Sequence, residues 1–166
     1  MKDKNKLIHY FNIFLVLLCM LTIFLFSCEN AEKSTERTEN FINDVINVSG
    51  NENTISVVDV NKEGEHSITF GVIRKCAHFF EFFLLGFLVV NLLKDYKTLS
   101  FKRVLLCILF CLIYAVSDEI HQLFVDGRSC EIKDIIIDTT GSSLGCFFYY
   151  FLYYNVNKTK IVSEVK

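Results

Sequence analysis

Four stretches of the chain, residues 7–26, 70–93, 103–125 and 132–154, are dominated by apolar side chains, and the polar residues are gathered between them. A helix needs roughly 20 apolar residues to cross about 30 Å of hydrocarbon, and each stretch is long enough. The pattern predicts an all-α polytopic membrane bundle of four transmembrane helices forming one domain over residues 1–166. With no proline and few glycines in the chain, these helices carry few built-in breaks. The segment 29–69 is polar and carries more acidic than basic residues, so it reads as an acidic extracytoplasmic loop after the first span. Within it Ser34 is a candidate helix cap, and Phe41, Ile42, Val45, Ile46 and Val48 recur at helical spacing, while residues 54–60 alternate weakly as an extended segment would. The stripe is expected to pack on the bundle, with a place on the membrane surface as the alternative.

The first apolar run follows Lys2, Lys4 and Lys6 and is longer than the roughly 7–15 residues of a signal-peptide core, so an uncleaved span is expected. Leu25-Phe26-Ser27-Cys28 approaches a lipoprotein processing site, but Phe26 is bulky where a small residue is usual. Basic residues also flank the second and third spans at Lys94, Lys97, Lys102 and Arg103, and follow the fourth at Lys158, Lys160 and Lys166. The excess of basic residues in cytoplasmic flanks then places both termini on the cytoplasmic side of the cell membrane and the turn at 126–133 on its outer side. Arg74 and Lys75 oppose this arrangement and are outnumbered.

Composition adds little to that picture. Of 166 residues 52% are hydrophobic and the mean hydropathy is +0.37, and with a net charge of −2 and scattered basic residues nothing suggests nucleic-acid binding. The seven cysteines form no CxxC pair and mostly lie in apolar runs, where a free thiol acts as a small hydrophobe. A disulfide among Cys28, Cys76 and Cys130 stays open.

The candidate chemistry comes from residues that interrupt the apolar runs. His78 and Glu81 lie near the start of the second span, Asp118, Glu119, His121 and Gln122 near the end of the third, and Asp134 and Asp138 near the start of the fourth. The span order brings all of them to the outer ends of three helices. His78 with Glu81 and Asp118 with His121 are three residues apart, and Asp134 with Asp138 four apart, so each pair shares a helix face. A charge at the bilayer centre costs about 2.5–3.5 kcal/mol, so several together must face one another or water, and such residues are functional candidates by default. Lys75, Arg128 and Glu131 border the same level. Taken singly, the basic residues could be interfacial anchors and Asp134 a partner of its helix dipole. Asp118 and Glu119, at a helix C-terminus where acids oppose the dipole, call for compensation from elsewhere. Gly141 and Gly145 form a GxxxG pattern that reads as close helix packing.

These residues resemble the VanZ-like family, associated with teicoplanin (glycopeptide) resistance in Gram-positive bacteria. The resemblance lies in Phe26-Ser27-Cys28-Glu29 with Ser34, in Arg74-Lys75-Cys76-Ala77-His78-Phe79-Phe80-Glu81-Phe82 with Leu85-Gly86, and in the stretch from Ser117 through Gln122, Gly127, Arg128 and Glu131 to Asp134, Asp138 and Gly141. Phe82 stands where the family has tyrosine, and Asp126 where a proline often precedes Gly-Arg. The resemblance implies a cell-envelope membrane protein without fixing a reaction.

Two functions compete at this point. One is a membrane enzyme acting at the outer leaflet on a lipid-linked or cell-wall substrate, with His78, Glu81, Asp118, Glu119, His121 and Asp138 as the catalytic set and His78 or His121 as the general acid/base, oriented by Glu81 or Asp118. In it Lys75, Gln122, Arg128, Glu131 and Asp134 bind substrate, and Lys75 with Arg128 hold a phosphate or carboxylate. A divalent metal on the imidazole and carboxylate groups is an open variant, and no serine or cysteine has an evident base beside it. The other is a non-catalytic protein whose same cluster binds a precursor, a glycopeptide or a partner protein. A small transporter is a weaker third reading, since four helices are few for alternating access.

Overall fold

The computed structural model describes residues 2–29, 36, 40, 63–94, 99–125, 128 and 130–164, and among them the chain is helical throughout its four long elements. These are α1 (Lys2–Ser27), α2 (Glu63–Lys94), α3 (Phe101–Gln122) and α4 (Ile132–Glu164). Each contains a stretch long and apolar enough to cross a membrane: Lys6–Ser27, Gly71–Lys94, Phe101–Gln122 and Ile132–Asn157. The cap at Ser34, the stripe at Phe41–Val48, the extended reading of 54–60 and the turn residues Asp126, Gly127 and Ser129 lie outside the described residues.

The apolar runs located the membrane crossings, but the helices do not stop where the apolar runs do. α2 begins at Glu63 rather than near residue 70, and α4 continues to Glu164 rather than ending near 154. Hydropathy marks where hydrocarbon starts, whereas a helix already nucleated keeps adding backbone hydrogen bonds beyond that level. At the other extreme, α3 ends at Gln122, three residues before the expected limit, and the chain then turns through Phe124 N–H to His121 O (3.0 Å) and Val125 N–H to Gln122 O (3.0 Å).

The bundle buries one face of each helix and leaves large apolar side chains outside. Leu7, Phe11, Leu17, Phe80, Leu106, Ile113, Ile136 and Phe151 are all exposed. On a water-soluble protein so extensive an apolar surface would drive association; around a membrane bundle it is the lipid-facing surface. The interior is made of Ile23, Phe82, Leu85, Val90, Val104, Cys107, Cys111, Ala115 and Cys146. All seven cysteines are free thiols. Phe82 is fully buried with its ring 6.0 Å from that of Tyr114, while the Tyr114 hydroxyl donates to the Met20 carbonyl at 2.6 Å and ties α3 to α1.

Without a strong hydrophobic force between helices in lipid, small residues that let backbones approach are what favour their association. The α2–α4 contact is of this kind. A Cβ placed on Gly86 would lie 2.2 Å from the Ser142 carbonyl oxygen, one on Gly141 2.4 Å from that of Phe79, and one on Gly145 2.0 Å from that of Phe83. The Cys146 thiol donates to the Gly86 carbonyl at 3.4 Å in the same seam. Asp138 precedes Gly141 by three residues and Ser142 by four, so the seam that locks α4 against α2 also turns Asp138 into the bundle. At the end remote from Asp138, Asn91 donates to Asn12 (3.3 Å) and accepts from the Tyr149 hydroxyl (2.9 Å), joining three helices through side-chain hydrogen bonds.

Candidate functional site

The C-terminal ends of α1 and α3 and the N-terminal halves of α2 and α4 meet at one end of the bundle, and the ionisable residues lie there. Asp118 is buried, and its Oδ2 accepts from the Ser27 hydroxyl at 2.7 Å and from Gln122 Nε2 at 3.0 Å. Gln122 Nε2 also reaches Ser27 Oγ at 3.3 Å. Two buried side chains thereby fix one oxygen of Asp118, and its Oδ1 is left without a hydrogen-bond partner. Glu119, also buried, accepts from the backbone N–H of Glu131 at 3.1 Å. It therefore sits against the start of α4, where the helix dipole favours a carboxylate. The compensation that acids at the end of α3 require comes from α1, Gln122 and the start of α4.

Asp138 is as buried as Glu119. Its side chain is 1% exposed, and neither carboxylate oxygen has a hydrogen-bond partner. One donor atom each from His78, Asp118 and Asp138, contributed by α2, α3 and α4, lie within 4.8 Å of one another. This is the convergence expected from the span order, narrowed to three residues. Glu81 lies one turn further along α2, close enough to act electrostatically on Asp138, but it does not line the cleft above it.

That cleft is narrow and is lined by Arg74, Lys75 and Arg128, by His78 and Gln122, and by Glu119, Asp134, Asp138 and Ile137. Lys75 is held in place by Asp134 and by Glu131, the latter at 3.0 Å. Arg128 donates to the Phe26 carbonyl at 3.2 Å, and its buried Nε has no partner. Burial, with the like charge of Arg74 nearby, pulls the Arg128 guanidinium below its ordinary value, yet a guanidinium stays protonated in any accessible pH range. Arg74, for which the sequence left an interfacial anchor open, is part of the cleft wall.

His121 takes a different position. Its ring lies 4.5 Å from that of Phe24, and Nε2 is 3.2 Å from the Cys28 thiol sulfur, so it faces α1 and not the His78 group. A cysteine does have an imidazole beside it, contrary to the reading from sequence, and Ser27 has a carboxylate beside it. Spacing along α3 could not disclose either contact, because both depend on where the end of α1 docks. The one available signal was that Ser27 and Cys28 close the first apolar run at the same membrane level as Asp118 and His121.

The Lys75 hydrogen bond and charge hold the Glu131 carboxyl below its ordinary range. A carboxylate depressed in the folded state stabilises the fold above its unfolded value, and that contribution fades as the pH falls through the depressed value. The Glu131 side chain is 47% exposed, so solvent screening limits the contribution to less than about 1 kcal/mol. Glu131→Gln is accordingly expected to lower thermal stability slightly at neutral pH and to match the wild type in acid. A stability difference that grew as the pH fell would show that the pair is not what holds this corner.

A family model described as VanZ/LLP1 matches residues 11–153. The chain belongs to this family. No curated protein and no solved structure shows a significant match. The matched range takes in most of α1, the membrane part of α2, all of α3 and α4 up to Tyr153, and so includes every residue of the cleft in this VanZ/LLP1 chain.

Proposed function

We propose that this VanZ/LLP1 protein is a membrane enzyme acting at the outer face of the cell membrane on a lipid-linked, anion-bearing component of the envelope. The observation that carries the reading is the cleft that sets Arg74, Lys75 and Arg128 around His78 and the unpaired Asp138. Planar guanidinium groups suit phosphate or carboxylate oxygens, and an imidazole beside buried carboxylates suits proton transfer to and from a reacting group. In this scheme Arg74, Lys75 and Arg128 hold the anion, His78 moves the proton, and Asp118 with Asp138 orient the imidazole and bear the charge that develops on it. A site opening at helix ends near the lipid surface suits a substrate whose tail stays in the bilayer. The outer-face assignment is supported by Lys6, Lys94, Lys102 and Arg103, which lie at the opposite end of the bundle. The family resemblance to glycopeptide-resistance proteins makes teicoplanin susceptibility the natural phenotype to score.

The competing reading, a binding protein that shields a precursor or captures a glycopeptide, would use the same basic rim without chemistry. Expression of the wild type and of Lys75→Met in a susceptible Gram-positive host, with mass spectrometry of the extracted envelope lipids, separates the two. The enzyme reading expects a wild-type-dependent change in the mass of an anionic lipid-linked species, lost in the variant. Altered teicoplanin susceptibility with unchanged lipid masses would favour the binding reading. Labelling of the exposed Cys130 by a membrane-impermeant maleimide in intact cells is expected if the site end faces the medium; protection until the cells are lysed would overturn the outer-face assignment.

A further inference from the structure

The geometry points to a divalent-cation site formed by His78, Asp118 and Asp138. Each of three helices supplies one donor, and the donor atoms lie within 4.8 Å of one another. Ligands about 2.0–2.2 Å from a shared ion lie at most roughly 4.4 Å apart, so an adjustment of a few tenths of an ångström in side-chain position would complete the set. The unpaired atoms argue that something belongs there. Both oxygens of Asp138, a residue 1% exposed, lack a hydrogen-bond partner, and so does Oδ1 of Asp118. Buried charges are normally paired or bound to a metal. The neighbouring cations do not fill this role: Lys75 is taken by Asp134 and Glu131, and Arg128 donates to the Phe26 carbonyl.

The surroundings of Asp118 support the same conclusion. Metal-ligating carboxylates are themselves held by hydrogen bonds that orient the ligating oxygen. Ser27 and Gln122 provide such bonds to Oδ2 of Asp118, and both are buried. One imidazole and two carboxylates form a hard to borderline donor set, suited to Mn²⁺, Mg²⁺ or Zn²⁺, and three protein ligands leave positions free for water or a substrate oxygen. Those positions would open towards the cleft. A bound cation would occupy the imidazole, so that proton transfer would pass from His78 to a water held on the ion; that role rests on the anion-substrate reading, whereas binding of the ion does not.

The test uses the full chain purified in detergent, stripped with chelator and titrated with Mn²⁺ and, separately, Zn²⁺. Electron paramagnetic resonance follows free Mn²⁺, and calorimetry follows both ions. The expected result is one saturable ion per chain, with affinity reduced at least tenfold in Asp138→Asn and in His78→Ala. The control His9→Ala, near the start of α1, should bind as the wild type does. Thermal unfolding of the same samples is expected to shift upward with the ion in the wild type and not in Asp138→Asn, which checks that the variant is folded. Absence of saturable binding of either ion by folded wild type would overturn the site, as would equal affinity in Asp138→Asn. Failure of the lipid-mass experiment with intact ion binding would instead remove the enzyme reading and leave the site standing.

Discussion

Asp138→Asn is expected to abolish function while leaving the bundle at least as stable as the wild type in metal-free buffer. The two effects are separable because Asp138 makes no hydrogen bond that the substitution could break: both of its oxygens are buried and unpaired. An ordinary structural carboxylate is the opposite case, since removing one partner of a satisfied buried pair costs about 3–5 kcal/mol. Asparagine keeps the shape and cannot carry a charge, so the change in stability should lie between zero and a modest gain. Function should fall by about 10²–10⁴-fold, the usual contribution of a positioned proton-transfer system, because the carboxylate facing His78 and Asp118 is gone. Envelope-lipid conversion and teicoplanin susceptibility measure the first effect, and thermal unfolding in chelator the second. A variant that lost several kcal/mol of stability would mark Asp138 as a structural residue and withdraw it from the site.

The four spans could be read directly from the sequence, because membrane crossing is a property of local composition: 20 or so apolar residues answer the question wherever their neighbours lie. The level of the candidate site could be read as well, since the order of the spans carries the start of α2, the end of α3 and the start of α4 to one end. The partners of each side chain could not be read. Asp118 and His121 are three residues apart on α3, and spacing placed both on one face. In the structure Asp118 turns inward to Ser27, Gln122, His78 and Asp138, whereas His121 lies against Phe24 and Cys28. A difference of about 60° around the helix, invisible in an i,i+3 rule, decides between the bundle interior and the groove beside α1. Glu119 shows the same limit. Its acceptor role for the Glu131 N–H depends on how closely the turn after α3 returns to it. Ser27, the tightest partner of Asp118, lies 91 positions away in sequence, and only the docking of α1 reveals it.

Adding a single methyl group at Gly145 is expected to damage this protein more than most substitutions within the site. In Gly145→Ala the new Cβ would fall 2.0 Å from the Phe83 carbonyl oxygen, 2.9 Å from its carbon and 3.1 Å from the Phe87 nitrogen. All three are backbone atoms of α2, so no side-chain rotation relieves the overlap, and α4 itself must move away. Overpacking a well-fitted interior costs typically 1–3 kcal/mol and sometimes more; with a helix backbone as the obstacle, a loss of about 3 kcal/mol is expected. Asp138 lies two helical turns from Gly145 on the same helix, so the displacement also separates it from His78, and activity should fall together with stability. Gly71 provides the contrast. No atom outside its own helix neighbourhood lies within 4 Å of a Cβ there, and alanine in a helix is favoured over glycine by about 0.5–1 kcal/mol. Gly71→Ala should therefore be neutral or slightly stabilising by thermal unfolding in detergent, while Gly145→Ala unfolds well below the wild type or fails to accumulate in the membrane. Equal melting of the two variants would mean that α2 and α4 do not meet backbone to backbone, and the positions of Asp138 and the cleft, which depend on that seam, would have to be abandoned.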